Sequence, residues 1–128
     1  MAVTRTVKLD EICASIMNID KNIRSVMMID KNGNLLHKLV RRGFLQPSVE
    51  RWNDIRFMEC ALEVSVGTEF DSLYGPIRYH HSDRNNFIIF SFPFHKNILL
   101  VTSTKNISPI SFATNISYFI KYKIAKTS

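Results

Sequence analysis

Apolar residues recur at helical spacing in three separate parts of the chain. The first covers residues 8–19, the second runs from about residue 48 to Gly67, and the third covers residues 108–126. In each part apolar side chains return every three or four residues with polar ones between them, which is the pattern of an amphipathic helix. The pattern therefore predicts three helices, of which the second is the longest.

Five further segments have the composition of β-strands. They span residues 23–30, 35–41, 77–81, 87–92 and 98–103. Several, such as the first and the last, contain continuous apolar runs. Because successive strand residues point to opposite faces of a sheet, such runs predict a sheet that is covered on both faces. The second strand alternates poorly and carries charged side chains, which is typical of an edge strand.

The connections between these segments complete a fold prediction. Residues 30–34 have Asn-Gly at their centre, the dipeptide that favours a tight hairpin. Residues 69–74 are compatible with either an extension of the second helix or an irregular approach to the third strand. The predicted order is α-β-β-α-β-β-β-α. We therefore predict one α+β domain over residues 1–128, with a five-stranded antiparallel sheet covered by helices on both faces and a flexible N-terminus at residues 1–6.

Composition narrows the class of protein. With 45% hydrophobic and 22% charged residues, the chain has the profile of a globular domain. The N-terminus lacks the apolar segment of a signal peptide, and no apolar run approaches the ~20 residues that a membrane span requires. Cys13 and Cys60 each fall on the apolar side of a predicted helix, which indicates buried thiols rather than a disulfide. These features predict a cytoplasmic protein.

The net charge of +6 points to nucleic acid or an anionic membrane as a partner class, because a basic surface attracts both. The candidate basic patch lies on the second strand and the second helix and consists of Lys38, Arg41, Arg42, Arg51 and Arg56. Tyr79, Phe44 and Trp52 are the aromatic side chains available for stacking on bases. No helix-turn-helix or RNA-binding signature accompanies these residues, so ordinary solvated faces are the simpler interpretation.

Residues that carry chemistry are scattered through the chain. His80 and His81 are adjacent on a predicted strand and therefore point to opposite faces, so they cannot readily share a metal ion. The turn at Gly33 joins two strands and does not open a helix, so it lacks the donors of a phosphate cradle. No catalytic, cofactor-binding or metal-binding residue is predicted, and we do not expect an enzyme.

The order of elements resembles that of the roadblock and longin group of profilin-like domains. Short motifs also resemble a small family of uncharacterised archaeal proteins. These motifs are Asn18-Ile19-Asp20, Ile23-Arg24, Asp30 with Gly33, and Arg51-Trp52. The resemblance implies that the second helix covers one face of the sheet and the terminal helices cover the other. It also implies dimerisation through the third strand and second helix, and a small GTPase as a possible partner.

Three functions are compatible with these residues. The first is a non-catalytic protein-interaction module, dimeric and regulatory or scaffolding, whose candidate dimer edge is Ile77, Arg78, Tyr79, His80 and His81. In that case Tyr79→Pro, which removes a ladder donor, is predicted to give a monomer. The alternative is a nucleic-acid-binding protein that uses the basic patch. A second alternative is a small-molecule sensor, with Met27 and Met28 lining a pocket between the sheet and a helix.

Overall fold

Five antiparallel strands form a sheet between two layers of helices. In this computed structural model, the backbone of residues 2–43 and 50–124 and the side chains of residues 8–43 and 57–122 are described. In chain order the elements are α1 (Ala2–Met17), β1 (Ile23–Ile29), β2 (Leu35–Val40), α2 (Glu50–Thr68), α3 (Asp71–Tyr74), β3 (His80–Asp83), β4 (Ile88–Phe94), β5 (Asn97–Ser103) and α4 (Pro109–Phe119). A π-helical turn, Ile120–Ile124, continues α4. The predicted fold class and element order are confirmed.

The strands lie in the order β2-β1-β5-β4-β3, and every neighbouring pair is antiparallel. The central strands β1 and β5 are nearly fully buried, whereas β2 and β3 form the two edges. The prediction that the second strand lies at an edge is therefore confirmed. Gly33, with φ of +84°, turns the chain between β1 and β2, and it packs against the backbone of α2 at Phe57 and Met58. A side chain at this position would strain the turn and crowd the helix.

The larger core lies between the sheet and the terminal helices. It joins side chains of α1, α4 and alternate residues of the strands: Ile12, Ile16, Val26, Met28, Phe90, Phe92, Leu99, Val101, Phe112 and Ile116. The rings of Phe90 and Phe112 lie 4.9 Å apart. Each fully buried side chain of this size contributes roughly 1.5–3 kcal/mol of transfer free energy. This cluster is therefore the main source of stability among the described side chains.

The smaller core lies on the opposite face of the sheet, beneath α2. Met27 and Ile29 of β1 and Ile98 and Leu100 of β5 meet Phe57, Cys60 and Ala61 of α2. The apolar runs predicted to be buried on both faces therefore divide their residues between the two cores. The helix arrangement that the roadblock resemblance implied is also the one observed. Cys13 and Cys60 lie in different cores, and no disulfide joins them.

Several boundaries differ from those predicted. Helix α1 begins at Ala2, so residues 2–6 continue the helix backbone instead of preceding it. The ambiguous segment contains a short helix, α3. Strand β3 begins at His80, because the preceding residues make no ladder with β4. The start predicted near residue 48 for the second helix lies outside the described residues. In the part of the chain that is described, no helix is long and apolar enough to span a bilayer.

Candidate protein interaction surface

The outer side of α2 is apolar although it faces away from the sheet. Phe57 and Ala61 point into the core, whereas Met58, Leu62 and Val66 point outwards at a spacing of four residues. The side chain of Leu62, for example, is 64% exposed. Residues four apart lie on one line along a helix, so these three side chains form a continuous stripe. An amphipathic surface helix normally presents polar residues on this side.

The stripe continues into α3 through three more apolar side chains. Phe70 is exposed, and Leu73 and Tyr74 are 76% and 81% exposed. The rings of Phe70 and Tyr74 stack with their centroids 5.7 Å apart. We refer to Met58, Leu62, Val66, Phe70, Leu73 and Tyr74 together as the α2–α3 strip. A contiguous exposed apolar surface of this kind is typical of a protein interaction site.

Gly67 brings the end of α2 close to the chain that leads into β3. A Cβ atom at this position would collide with the side chain of Ile77 and would lie 3.9 Å from His80 Nε2. Only glycine permits this approach without a shift of the helix or of Ile77. The α2–α3 strip is thereby placed beside the β3 edge of the sheet.

Two buried polar atoms near this edge lack hydrogen-bond partners among the described residues. They are His80 Nε2 and Asp71 Oδ1. Leaving a buried donor or acceptor unpaired costs about 1–3 kcal/mol. Unpaired buried atoms are unusual in a surface that binds no partner. These two lie where the α2–α3 strip meets the sheet edge.

The backbone of β3 has donors directed away from the sheet. Arg84 donates to the carbonyl of Phe87 at 2.9 Å, which makes these residues a hydrogen-bonded pair at the hairpin end. Hydrogen-bonded and non-bonded pairs alternate along an antiparallel ladder. The register, in which His81 faces Phe90 and Ser82 faces Ile89, therefore directs the amides of His81 and Asp83 outwards. These groups are available to an added strand.

The five residues predicted as a dimer edge do not all lie on the strand. Ile77, Arg78 and Tyr79 precede β3, while His80 and His81 belong to it. The Tyr79 ring packs 6.1 Å from that of Phe92 and 6.5 Å from that of Phe90, both in the larger core. Tyr79→Pro would therefore disturb packing as well as an edge, so it is not a clean test of strand pairing.

The structure gives Arg41 of the predicted basic patch a structural role. Its Nε donates to the carbonyl of Ile23 at 2.6 Å, and its Nη2 donates to the carbonyls of Met17 at 2.7 Å and Asp20 at 3.1 Å. The guanidinium thus closes the end of α1 and the loop that follows. Lys38 and Arg42 are exposed. The side chains of Arg51 and Arg56 lie outside the described residues, as do those of Phe44 and Trp52.

Met27 and Met28, the two methionines of the sensor hypothesis, are both buried on the sheet. Met27 lies in the core beneath α2, and Met28 lies in the core beneath the terminal helices. Both side chains are therefore part of packed cores. Over residues whose side chains are described, no three His, Cys, Asp or Glu side chains form a group that could hold a metal ion.

The thiol of Cys13 offers little reactivity. Burial, together with the charge of Asp10, raises the pKa of Cys13 to about 11. The thiolate is the nucleophilic form, so Cys13 is inert near neutral pH. Cys60 is also buried. A cysteine nucleophile is therefore not supported at Cys13.

Solved structures share this fold at low sequence identity. A gliding protein, MglB, from Thermus thermophilus has a TM-score of 0.68 and 10% identity, and the match covers 94% of this chain and 90% of that one. A roadblock/LC7 domain from Streptomyces avermitilis has a TM-score of 0.64 and 12% identity, with 88% and 91% covered. LokiProfilin1, solved in complex with rabbit actin, has a TM-score of 0.54 and 11% identity, with 93% and 96% covered.

These comparisons define the fold as that of roadblock and profilin-like domains. The predicted resemblance at the level of fold is therefore confirmed. No protein-family model matches the chain, and no curated protein is significantly similar to it in sequence. The closeness to an archaeal family stays a prediction.

Proposed function

We propose that this chain is a non-catalytic protein-interaction module that forms a homodimer through the α2–α3 strip and the β3 edge. The observation that carries the proposal is the position of six exposed apolar side chains beside an edge strand with outward amides and unpaired polar atoms. A second copy related by two-fold symmetry would present the same features in return, because such an interface is self-complementary. Burial of the strip and pairing of the two β3 strands would then occur together.

Two further observations support association with a second copy rather than a solvated surface. Lysine is absent from β3, whereas the opposite edge strand carries Lys38, a residue type that discourages pairing. An MglB structure of the same fold, at 13% identity and with a TM-score of 0.69, has a tetrameric arrangement. A domain of this fold therefore self-associates in at least one other protein.

The experiment is the mass of the purified chain in solution, with Leu62→Glu as the principal variant. Leu62 lies at the centre of the strip and is already exposed, so the substitution leaves the core intact. A buried, unpaired carboxylate in the interface would weaken the dimer by about 2 kcal/mol or more, which is roughly 30-fold. We expect a dimer for the wild type and a monomer at low micromolar concentration for the variant, measured by analytical ultracentrifugation.

A matched control is Ile110→Glu. Ile110 is 71% exposed on α4 and belongs to neither the strip nor the β3 edge. The same change in charge and hydrophobicity there should leave the dimer unchanged. A wild-type monomer at all concentrations, or an unaltered dimer in the Leu62→Glu variant, would contradict the proposal.

The biological role belongs to the same proposal. We infer a regulatory or scaffolding role in the cytoplasm, in which the dimer binds an additional protein. The roadblock resemblance implies that this protein is a small GTPase. The test is the rate of GTP hydrolysis and nucleotide exchange of small GTPases from the same cell, with and without the chain. Rates that never change would remove the GTPase as a partner but leave the dimer untouched.

The nucleic-acid alternative is weaker because Arg41, a member of the predicted patch, is engaged by three carbonyl groups. It is tested in the same solution measurement by adding a mixed oligonucleotide across a salt series. A rise in mass that falls steeply with salt would favour that alternative.

A further inference from the structure

A groove of about 570 Å³ lies between α4 and the segment that precedes β3. Thr114, Ser117, Tyr118 and Lys121 line its helical side. Their spacing of three and four residues places them in one stripe along the helix. Residues 76–78 and Pro93 of β4 form the other side. None of the six residues of the α2–α3 strip lines this groove, although Ile77, which does, also packs against Gly67 of α2.

The groove follows an uncovered part of the sheet edge. The ladder between β3 and β4 begins at the pair His80 and Ser91, so in the described chain no strand lies beside Phe92 to Phe94 on that side. Pro93 comes two residues after Ser91, and the alternation of the ladder directs its carbonyl the same way. Because proline has no amide hydrogen, it loses no ladder bond there. The backbone of β4 at Pro93 therefore makes no ladder bond on this side within the described chain.

Two cationic side chains line the groove and no carboxylate does. They are Arg78 and Lys121. Neither makes an ion pair with any residue whose side chain is described. The Lys121 ammonium lies 5.4 Å from the centroid of the Tyr122 ring, which also lines the groove. The groove therefore combines unneutralised positive charge with aromatic and proline surface.

A buried hydroxyl in the same groove has no partner. Ser117 Oγ is inaccessible to solvent and makes no hydrogen bond to the described residues. A serine inside a helix commonly donates to the carbonyl four residues earlier. Leaving such a hydroxyl unpaired is unfavourable. Because Oγ is inaccessible in the free protein, a ligand oxygen can accept its hydrogen bond only after the Ser117 side chain rotates towards the groove.

We propose that this groove binds an acidic peptide segment of a partner protein. A carboxylate of the segment is held by Arg78 and Lys121 and accepts a hydrogen bond from Ser117. Apolar side chains beside that carboxylate pack on Ile77, Pro93 and Tyr118. The carboxylate belongs either to an Asp or Glu side chain or to a free C-terminus. The charge of +6 on the whole chain attracts such a segment from a distance. The inference rests on the proposed function and deepens it by assigning a partner class to a second surface, which adjoins the dimer contact.

The test is the fluorescence anisotropy of labelled peptides that alternate Glu and Leu, with either a free or an amidated C-terminus. Peptides in which Gln replaces Glu are the uncharged probes. We expect saturable binding of the Glu peptide that the Gln peptide does not reproduce. Retention of affinity by the amidated Glu peptide would assign the carboxylate to a side chain, whereas binding that requires the free terminus would assign it to the chain end. Equal binding of the Glu and amidated Gln peptides would contradict the proposal.

Two sets of variants locate the site. The double variant Arg78→Glu with Lys121→Glu should weaken binding by roughly tenfold or more, because both favourable charges become repulsive. Lys21→Glu with Lys31→Glu makes the same change in net charge at exposed sites away from the groove, and it should retain most of the affinity. Similar losses in both double variants would indicate a nonspecific charge effect and overturn the proposal.

Ser117→Ala separates binding from folding. Because the hydroxyl is unpaired in the free protein, its removal should not lower the melting temperature. The substitution should nevertheless lower the affinity for the Glu peptide several-fold. An unchanged affinity would remove Ser117 from the site. The Leu62→Glu variant should bind the peptide as the wild type does, so failure of the dimer proposal and failure of the groove proposal give different results.

Discussion

The two edge strands of the sheet are completed in different ways. Strand β2 is tied to its surroundings, because Arg41 beside it donates to three carbonyls and the His37 Nδ1 atom lies 2.8 Å from Asp10 Oδ1 of α1. Strand β3 has four residues and adjoins His80 Nε2 and Asp71 Oδ1, which have no partners among the described residues. The polar groups around β2 are largely satisfied within one chain, whereas at the β3 edge Asp83 pairs with Lys105 but His80 Nε2 has no partner among the described residues.

Their exposed side chains differ in the same sense. In β2, the residue whose backbone amide points away from the sheet is Lys38, a charged residue of the kind that protects an edge from pairing. The β3 edge lies beside the α2–α3 strip, whose apolar residues favour contact with another surface. One edge is thus protected by its own residues, and under the proposed function the other is covered by a second chain.

The largest expected effect is on the free energy of unfolding and concerns the β2 edge. Arg41→Ala removes the donors of three carbonyl groups, and hydrogen bonds from a charged donor contribute about 1.5–3 kcal/mol each before relaxation and water partly replace them. We expect a loss of about 3 kcal/mol in the free energy of unfolding, measured by urea denaturation at a fixed protein concentration. The dimer should persist in the folded fraction.

The neighbouring Arg42→Ala is the control for that substitution. Arg42 is exposed, so its replacement should change stability by less than about 0.5 kcal/mol. Equal effects of the two substitutions would mean that Arg41 is an ordinary surface cation, and the contrast between the edges would then lose its main support.

A smaller effect, about 2 kcal/mol on dimerisation, is expected from His81→Pro. The substitution removes an amide that points away from β4, and two-fold symmetry makes the dimer lose it twice at about 1 kcal/mol each. The ladder to β4 is retained, and His81→Ala, which loses the same ring contacts with Phe90 and Tyr79 but keeps the amide, isolates the contribution of the amide. We expect a dissociation constant roughly 30-fold higher by sedimentation.

Lys38→Pro is the equivalent change on the opposite edge. The backbone amide of Arg41 donates to the carbonyl of Arg24 at 2.7 Å, so these two residues form a hydrogen-bonded pair of the ladder. Because bonded and non-bonded pairs alternate, the Lys38 amide points away from β1. Its replacement should leave the dimer intact. If both proline variants dissociate, or if only Lys38→Pro does, the dimer does not form through β3.

The sequence predicted the architecture well because periodicity reports burial. Helical spacing and doubly apolar strands identify which faces are covered, and both features recur along this chain. Position 62 shows the limit, because an apolar residue on α2 is equally consistent with a core or with an interface. Periodicity also could not show that Arg41 bonds to carbonyls of a distant segment, since that depends on how β2 returns to the end of α1.

The smallest predicted effect concerns the turn that closes the β2 edge. The carboxylate of Asp30 accepts hydrogen bonds from the amides of Asn34 and Asn32 and from the Asn34 side chain. Bonds to the charged form, with that from the Asn34 backbone the strongest, lower the pKa of Asp30 below its usual value of 3.8. Asp30→Ala should therefore cost about 1 kcal/mol at pH 7, as loss of a comparable capping side chain does.

The stability lost in Asp30→Ala depends on pH, and the lowered pKa of Asp30 sets the direction of that dependence. Because the pKa is lower in the folded state, the contribution is fully present above pH 3.8 and disappears as the pH falls through the folded-state value. Unfolding curves at pH 7 and at successively lower pH should therefore converge for the wild type and Asp30→Ala. Asp83→Asn, which removes an exposed ion pair with Lys105 at the β3 edge, should cost only a few tenths of a kcal/mol. A larger cost for Asp83 than for Asp30 would reverse the contrast, because polar side-chain contacts would then stabilise β3 more than β2.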